Sequence, residues 1–328
     1  MSAHSICNMF RHLHLGLIAV GIAIGAAHAQ SFPVKPIRWI VPIAAGGSND
    51  VAARLLSANI APALGQQIII ENRPGAAGII GMDFVAKSQP DGYTILSADN
   101  SLVLNTGLYQ KLPYDLERDF EPVALYGRIP MLIVVRASLP VQNITELIAL
   151  AKADPGKLTF GSAGKGSPHH LLQELFKQRT GTDFTHVPFK GGTPAVAEIA
   201  AGRLDITVSN WGSVAGHVSA GRLRVLAVST AQRNPRQDHI PTIKESGGPE
   251  IDVAAWQGLL TPKGTPRVIV DRLNAEILAA LKNQKVVDTM GDSGMLATPS
   301  TSAEFATFIR SERALWEPLI KSWKISLD

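Results

Sequence analysis

An α/β protein assembled from parallel βαβ units in two similar halves is the fold the sequence predicts. Three observations point to it. Short apolar strands run into glycine-rich loops that open amphipathic helices; this grammar occurs near the start of the chain and again in its middle; and two long strand-like segments lie between the halves.

At the N-terminus, Arg11, the apolar run from Leu15 to Ala27 and the small-residue site Ala27-His28-Ala29 read as a secretory signal over residues 1–29, with a mature chain beginning at Gln30. The sole cysteine, Cys7, lies inside that signal, so no disulfide or cysteine-ligated metal is expected afterwards. Roughly 300 residues remain, enough for one large or two medium domains. The net charge of +4 is mild, and lysine and arginine form no basic run, which argues against a nucleic-acid partner.

The strand from Ile37 to Ile43 leads into the loop Pro42–Asp50 and a helix from about Asp50, with Val51, Leu55 and Ala58 as its apolar face. Gly46 and Gly47 allow a close backbone approach, Ser48 or Asn49 is suited to cap the helix, and the first-turn N–H groups with the dipole behind them would welcome a carboxylate or phosphate. A second strand, Gln67–Ile70, and the loop Asn72-Arg73-Pro74-Gly75-Ala76-Ala77-Gly78 precede a helix to about Ser88; the turn Pro90-Asp91-Gly92 returns the chain into the strand Tyr93–Ser97. The middle of the chain repeats the pattern. The strand Leu158–Phe160 is followed by the loop Gly161–Pro168 and a helix with Leu171, Leu172, Leu175 and Phe176 on one face, with Ser167 as N-cap and Pro168 at N1. After the strand Phe184–Val187, Thr193 and Pro194 offer the same cap-plus-proline pair before a helix carrying Val196, Ile199 and Ala200. The strand-like stretches Phe120–Val135 and Ile251–Leu260 carry the chain from one half to the other and back, and helices over Pro266–Lys282 and Ser302–Lys324 are expected to pack on the first half.

The motif search mainly excludes. Gly46–Asp50 lacks the G-x-G-x-x-G spacing of a dinucleotide site, and Lys165 is followed by Gly166 instead of the Ser or Thr of a phosphate-binding P-loop. Gly291-Asp292-Ser293-Gly294 reads as a plain turn, no G-x-S-x-G elbow occurs, and the adjacent His169 and His170 cannot share a helix face as metal ligands do. No catalytic residue, metal or cofactor is therefore expected. An enzyme is the weakest of the functional readings, because nucleophile and base are missing.

Phe32-Pro33-Val34-Lys35-Pro36, the Gly46–Asp50 loop, Glu71–Gly78 and Pro90-Asp91-Gly92-Tyr93-Thr94 resemble the Bug, or TctC-like, solute-binding proteins of tripartite tricarboxylate transporters. The likeness runs on through Lys111–Asp115, Asp154–Leu158, Ser162–Leu171, His186–Gly192 and Leu259–Pro266, covering essentially the whole chain after the signal. The resemblance implies an α/β, two-domain periplasmic-binding-protein fold of type II with the ligand cleft between domains, residues 30–128 with 252–328 forming one domain and 129–251 the other.

By position, the resemblance places the family's ligand loops on Ala45, Gly46, Gly47, Ser48, Asn49 and Asp50; on Asn72, Pro74, Gly75, Ala76 and Gly78; on Ser162, Ala163, Gly164, Gly166, Ser167 and His170; and on Lys190, Gly191, Gly192, Thr193 and Asn210. The implied protein is a monomeric periplasmic receptor that delivers a small carboxylate, a mono- or dicarboxylate or an aromatic acid, to membrane permease subunits; presenting the liganded form to a sensor kinase is the alternative. Four positions depart from the family's usual residues: Ala45 for Pro, Asn49 for Thr, Phe189 for Tyr and Asn210 for Asp. Losing an acid at 210 leads to the expectation of a non-amino ligand.

Overall fold

A computed structural model describes residues 32–327, so the signal-sequence expectation lies outside the described residues. Lys35 onward forms one unit containing two sheets.

The first sheet has the order β11 (Leu296–Ala297), β4 (Phe120–Pro130), β10 (Ala254–Pro262), β3 (Thr94–Asp99), β1 (Ile37–Val41), β2 (Ile68–Asn72), and the second β7 (Thr185–Pro188), β6 (Thr159–Ser162), β8 (Ile206–Ser209), β5 (Leu132–Arg136), β9 (Leu223–Val228). In the first, β1 (Ile37–Val41) lies between β2 (Ile68–Asn72) and β3 (Thr94–Asp99), all parallel. The crossovers are α1 (Ser48–Leu64) and α2 (Ile79–Ala86), as a βαβ reading requires. β4 (Phe120–Pro130) runs almost directly into β5 (Leu132–Arg136), so one extended stretch belongs first to one sheet and then to the other. The return passes through β10 (Ala254–Pro262), antiparallel to both β4 and β3.

The second sheet repeats the parallel grammar. β6 (Thr159–Ser162) pairs in parallel with β7 (Thr185–Pro188) and β8 (Ile206–Ser209), with α5 (Pro168–Thr180) and α6 (Gly192–Ala200) as crossovers. Antiparallel β5 joins β8 to β9 (Leu223–Val228). The remaining described helices are α3 (Asn100–Leu108), α4 (Ile144–Ala153), α7 (Trp211–Ser219), α8 (Arg267–Ala280), α9 (Gln284–Asp292) and α10 (Ser302–Ser322), with a short β11 (Leu296–Ala297).

Two expectations about packing are corrected. The buried face of α1 is Ala52, Ala53, Leu56 and Ile60, while Val51 is 46% exposed. Asn49 and Asp50 turn inward at the start of the helix, and this rotates the apolar stripe by one residue. The second correction concerns α10. Its first half sets Phe305 and Ile309 among Ile40, Leu96 and Leu260 of the first sheet. Its second half sets Trp316 and Ile320 in a cluster with Leu108, Ile133 and Phe160, so it also serves the second sheet.

Candidate functional site

Parallel strands end together, and the loops that follow them converge. A cavity of about 440 Å³ lies at the ends of β1, β2 and β3, walled by Ile43 and Ser48 of the first loop, Pro74, Gly75 and Gly78 of the second, and Asp99 after β3. β10 adds Trp256 and Gln257, and Pro168 at the start of α5 reaches in from the second half.

The first loop is braced from within. Asp50, only 2% exposed, accepts hydrogen bonds from the Gly46 amide at 2.9 Å, Arg54 at 3.0 Å and Asn72 at 2.9 Å. Burial pushes its pKa upward, but the bonds from Arg54, Gly46 and Asn72 outweigh this and hold it at about 2. Asn49 is equally buried; its amide donates to Asp99 at 3.3 Å and accepts from the Tyr126 hydroxyl at 3.1 Å. Asn49, Asp50 and Asn72 are thus committed to holding the loop.

The expected cap is corrected here. Neither Ser48 nor Asn49 caps α1: Gly47 occupies the N-cap and supplies no side-chain acceptor. Because the Gly46 and Gly47 amides are spent on Asp50 and Ala44, the donors without an intrahelical acceptor are those of Ser48, Asn49 and Asp50.

The second loop stores backbone strain beside the cavity. Gly75, Ala76, Ala77 and Gly78 all have positive φ, with the two alanines at 46° and 51°, a conformation that costs an L-residue about 1 to 2 kcal/mol. A β-carbon at Gly78 would lie 3.3 Å from Pro42 Cβ, so the first two loops pack on each other.

In the second half, Ser167 caps α5 and Pro168 occupies N1, as expected. The loops around Ser162 and Lys190 bond to each other through Phe189 N–H to Ser162 O and Gly191 N–H to Ala163 O. Their hydroxyls are mostly committed inside the protein. Buried Ser162 lies 2.7 Å from His186 Nε2 and also bonds Gly164, while the Ser167 hydroxyl donates to Gly164 O at 2.7 Å. His170, 5% exposed, accepts from the Gly166 amide through Nδ1 and stacks on His186 with ring centroids 3.9 Å apart. Burial first, then the positive neighbours His186, Lys177 and Lys165, drive its pKa down to about 4. Lys190 is exposed, and Gly191, without a side-chain acceptor, is the N-cap of α6. Thr193 does not cap that helix and instead lines a separate groove between α6 and α7. Asn210 caps α7 by accepting from Ser213 N–H at 3.0 Å.

Of the residues expected at the site, Ser48, Pro74, Gly75 and Gly78 therefore wall the cavity. Sequence reasoning missed Asp99 and Gln257 there. Asp99 also sets an acid on that wall, so the cleft that Asn210 leaves less acidic still holds one carboxylate there. Among the described residues, no cluster of His, Cys, Asp or Glu has metal-binding geometry.

Comparison with known proteins places this geometry in context. Residues 52–325 match the TctC family model, described as the tripartite tricarboxylate transporter family receptor. The chain is 36% identical to Protein BugT of Bordetella pertussis, over 93% of this chain and 96% of that one. Among solved structures, R. palustris Rpa4515 with adipate superposes with a TM-score of 0.78 at 35% identity, covering 88% of this chain and 97% of that one. MatC from Rhodopseudomonas palustris with bound malate gives 0.74 at 32% identity, covering 88% and 100%.

Proposed function

The chain belongs to the tripartite tricarboxylate transporter receptor family, whose members are solute-binding receptors and not enzymes, and from that membership we propose that it captures a small carboxylate in the periplasm for a membrane permease of the tripartite type. One observation carries the ligand class. The N-terminus of α1, which has no side-chain cap, and the left-handed turn Gly75–Gly78 open onto the same cavity, so backbone donors and a helix dipole face one small space. Relatives bound to adipate and malate support the same class. The ligand is a mono- or dicarboxylate or an aromatic acid.

The energetics are adequate. A micromolar complex needs about 8 kcal/mol. Each hydrogen bond to a charged group contributes about 1.5 to 3 kcal/mol, and the helix terminus about 0.3 to 1 more. Four to six such contacts suffice after ordering costs. Pro168 places α5 of the second half at the same cavity, so a ligand held by both halves favours the arrangement that brings them closest, and that arrangement is what the permease recognises. The domain limits for this motion are the crossings at residues 129 and 252.

A thermal-shift panel of organic acids on ligand-stripped protein, followed by calorimetry on the hits, tests the reading. At least one acid is expected to raise the melting temperature and bind with one-to-one stoichiometry. If no acid does, or if a bound acid is chemically converted, the receptor reading is wrong.

A further inference from the structure

A cavity that offered only amide donors would suit any carboxylate, but this one also carries acceptors. Asp99 ends β3 on its wall, and its position is fixed from two sides. One carboxylate oxygen accepts from Asn49 at 3.3 Å, and the other takes the Ser101 amide at 2.9 Å together with the Ser101 hydroxyl. Asn49 is itself held by Tyr126, whose hydroxyl meets Ser97 at 2.7 Å, so a buried chain of hydrogen bonds aims the carboxylate. Two carboxylate oxygens offer about four acceptor positions, and the chain fills three.

Gln257 supplies an independent observation. It is 3% exposed and lines the same cavity; its Nε2 lies 3.2 Å from the Ser48 hydroxyl, while its Oε1 has no partner. Ser48 can give or take a hydrogen bond, so it satisfies one end of that amide whichever way round the amide lies, and the other end stays open. Buried polar groups left open are rare in folded proteins and point to a missing partner.

We infer that Asp99 and Gln257 form a specificity subsite that selects a carboxylate carrying a second, proton-donating substituent, a hydroxyl or an ammonium, over the unsubstituted acid of the same skeleton. This rests on the carboxylate reading of the cavity. The ligand's carboxylate takes the amides of the first two loops, and its substituent donates to Asp99 and meets the open end of Gln257. An unsubstituted chain would leave the fourth acceptor position of Asp99 and the open end of Gln257 unmet, and a second carboxylate at that point would meet the charge of Asp99.

Matched triplets of plain, hydroxylated and aminated acids, such as succinate, malate and aspartate, with three-, five- and six-carbon and aromatic sets, are titrated by calorimetry into the full mature protein. The same titrations are made on Asp99→Asn and on Asp99→Ser, which keeps an N-cap for α3 if the asparagine variant fails to fold. Within whichever skeleton binds, a substituted member is expected to bind at least tenfold tighter than the plain acid, and the variants should reduce that ratio to about twofold. The better of the hydroxyl and amino arms identifies the donor. Equal binding of plain and substituted acids, or a ratio unchanged in the variants, overturns the subsite while leaving the carboxylate reading intact. Silence across every triplet overturns both.

Discussion

Placing a serine where α1 now begins with Gly47 should strengthen the helix and weaken the receptor. Gly47 has φ −71° and ψ 161°, an extended conformation open to any residue. A β-carbon there would lie 2.5 Å from Ile43 Cδ1, so Ile43 must turn, at about 0.5 to 1.5 kcal/mol if it is pushed off its rotamer. Gly47→Ala bears that cost alone, as lower folding stability in the free and the liganded protein alike, and serves as the reference for binding. Gly47→Ser adds an oxygen that accepts from the Asn49 or Asp50 N–H, the donors proposed for the ligand. Losing one charge-assisted hydrogen bond of about 1.5 to 3 kcal/mol lowers affinity by a factor of roughly 10 to 150. Relative to Gly47→Ala, the same serine should raise folding stability by about 1 kcal/mol. Gly47→Val, which forces the largest displacement of Ile43 into the cavity, should bind worst. Calorimetry with an acid from the panel reads affinity, and urea unfolding reads stability. If Gly47→Ser binds as tightly as Gly47→Ala, the helix donors are not the ligand's, and the cradle is misplaced.

Two further outcomes follow from packing and charge. Since folded His170 resists protonation until about pH 4 while an unfolded histidine titrates near 6.5, the unfolded chain binds more protons between those values; stability should therefore fall on acidification across this window, by up to about 3 kcal/mol. His170→Gln should flatten that part of the urea-midpoint-against-pH curve, and an unaltered slope would count against the assignment. In β10, a β-carbon on Gly258 would lie 2.1 Å from Phe305 Cζ in the core, so Gly258→Ala should destabilise by about 1 to 3 kcal/mol; a wild-type urea midpoint would contradict the packing.

The parts of this molecule legible in sequence were those with local rules. The strand–glycine–helix grammar identified the parallel units, and the pair Ser167-Pro168 marked the start of α5 because a cap followed by proline has few other uses. At Thr193 the same pair misled, since Gly191 with its positive φ begins the helix two residues earlier. The inward turn of Asn49 and Asp50 was hidden because their partners, Asp99, Tyr126 and Asn72, are remote in sequence, and polar residues at a helix start ordinarily face water. Asp99 and Gln257 belong to no motif. They meet only because antiparallel β10 is laid beside β3 with Gln257 opposite Asp99, a pairing between positions too far apart in the chain for any local pattern to reveal.

The last long helix gives the protein a mechanical constraint. Trp316 and Ile320 share one greasy cluster with Phe160 and Ile133, while Phe305 and Ile309, three turns earlier on the same rod, are seated under the other sheet. Swinging one sheet about the strand crossings must drag that rod or shear its side chains past their neighbours. The travel available to a ligand is consequently short and stiff, and an excised fragment of residues 129–251 would leave one wall of its own interior bare.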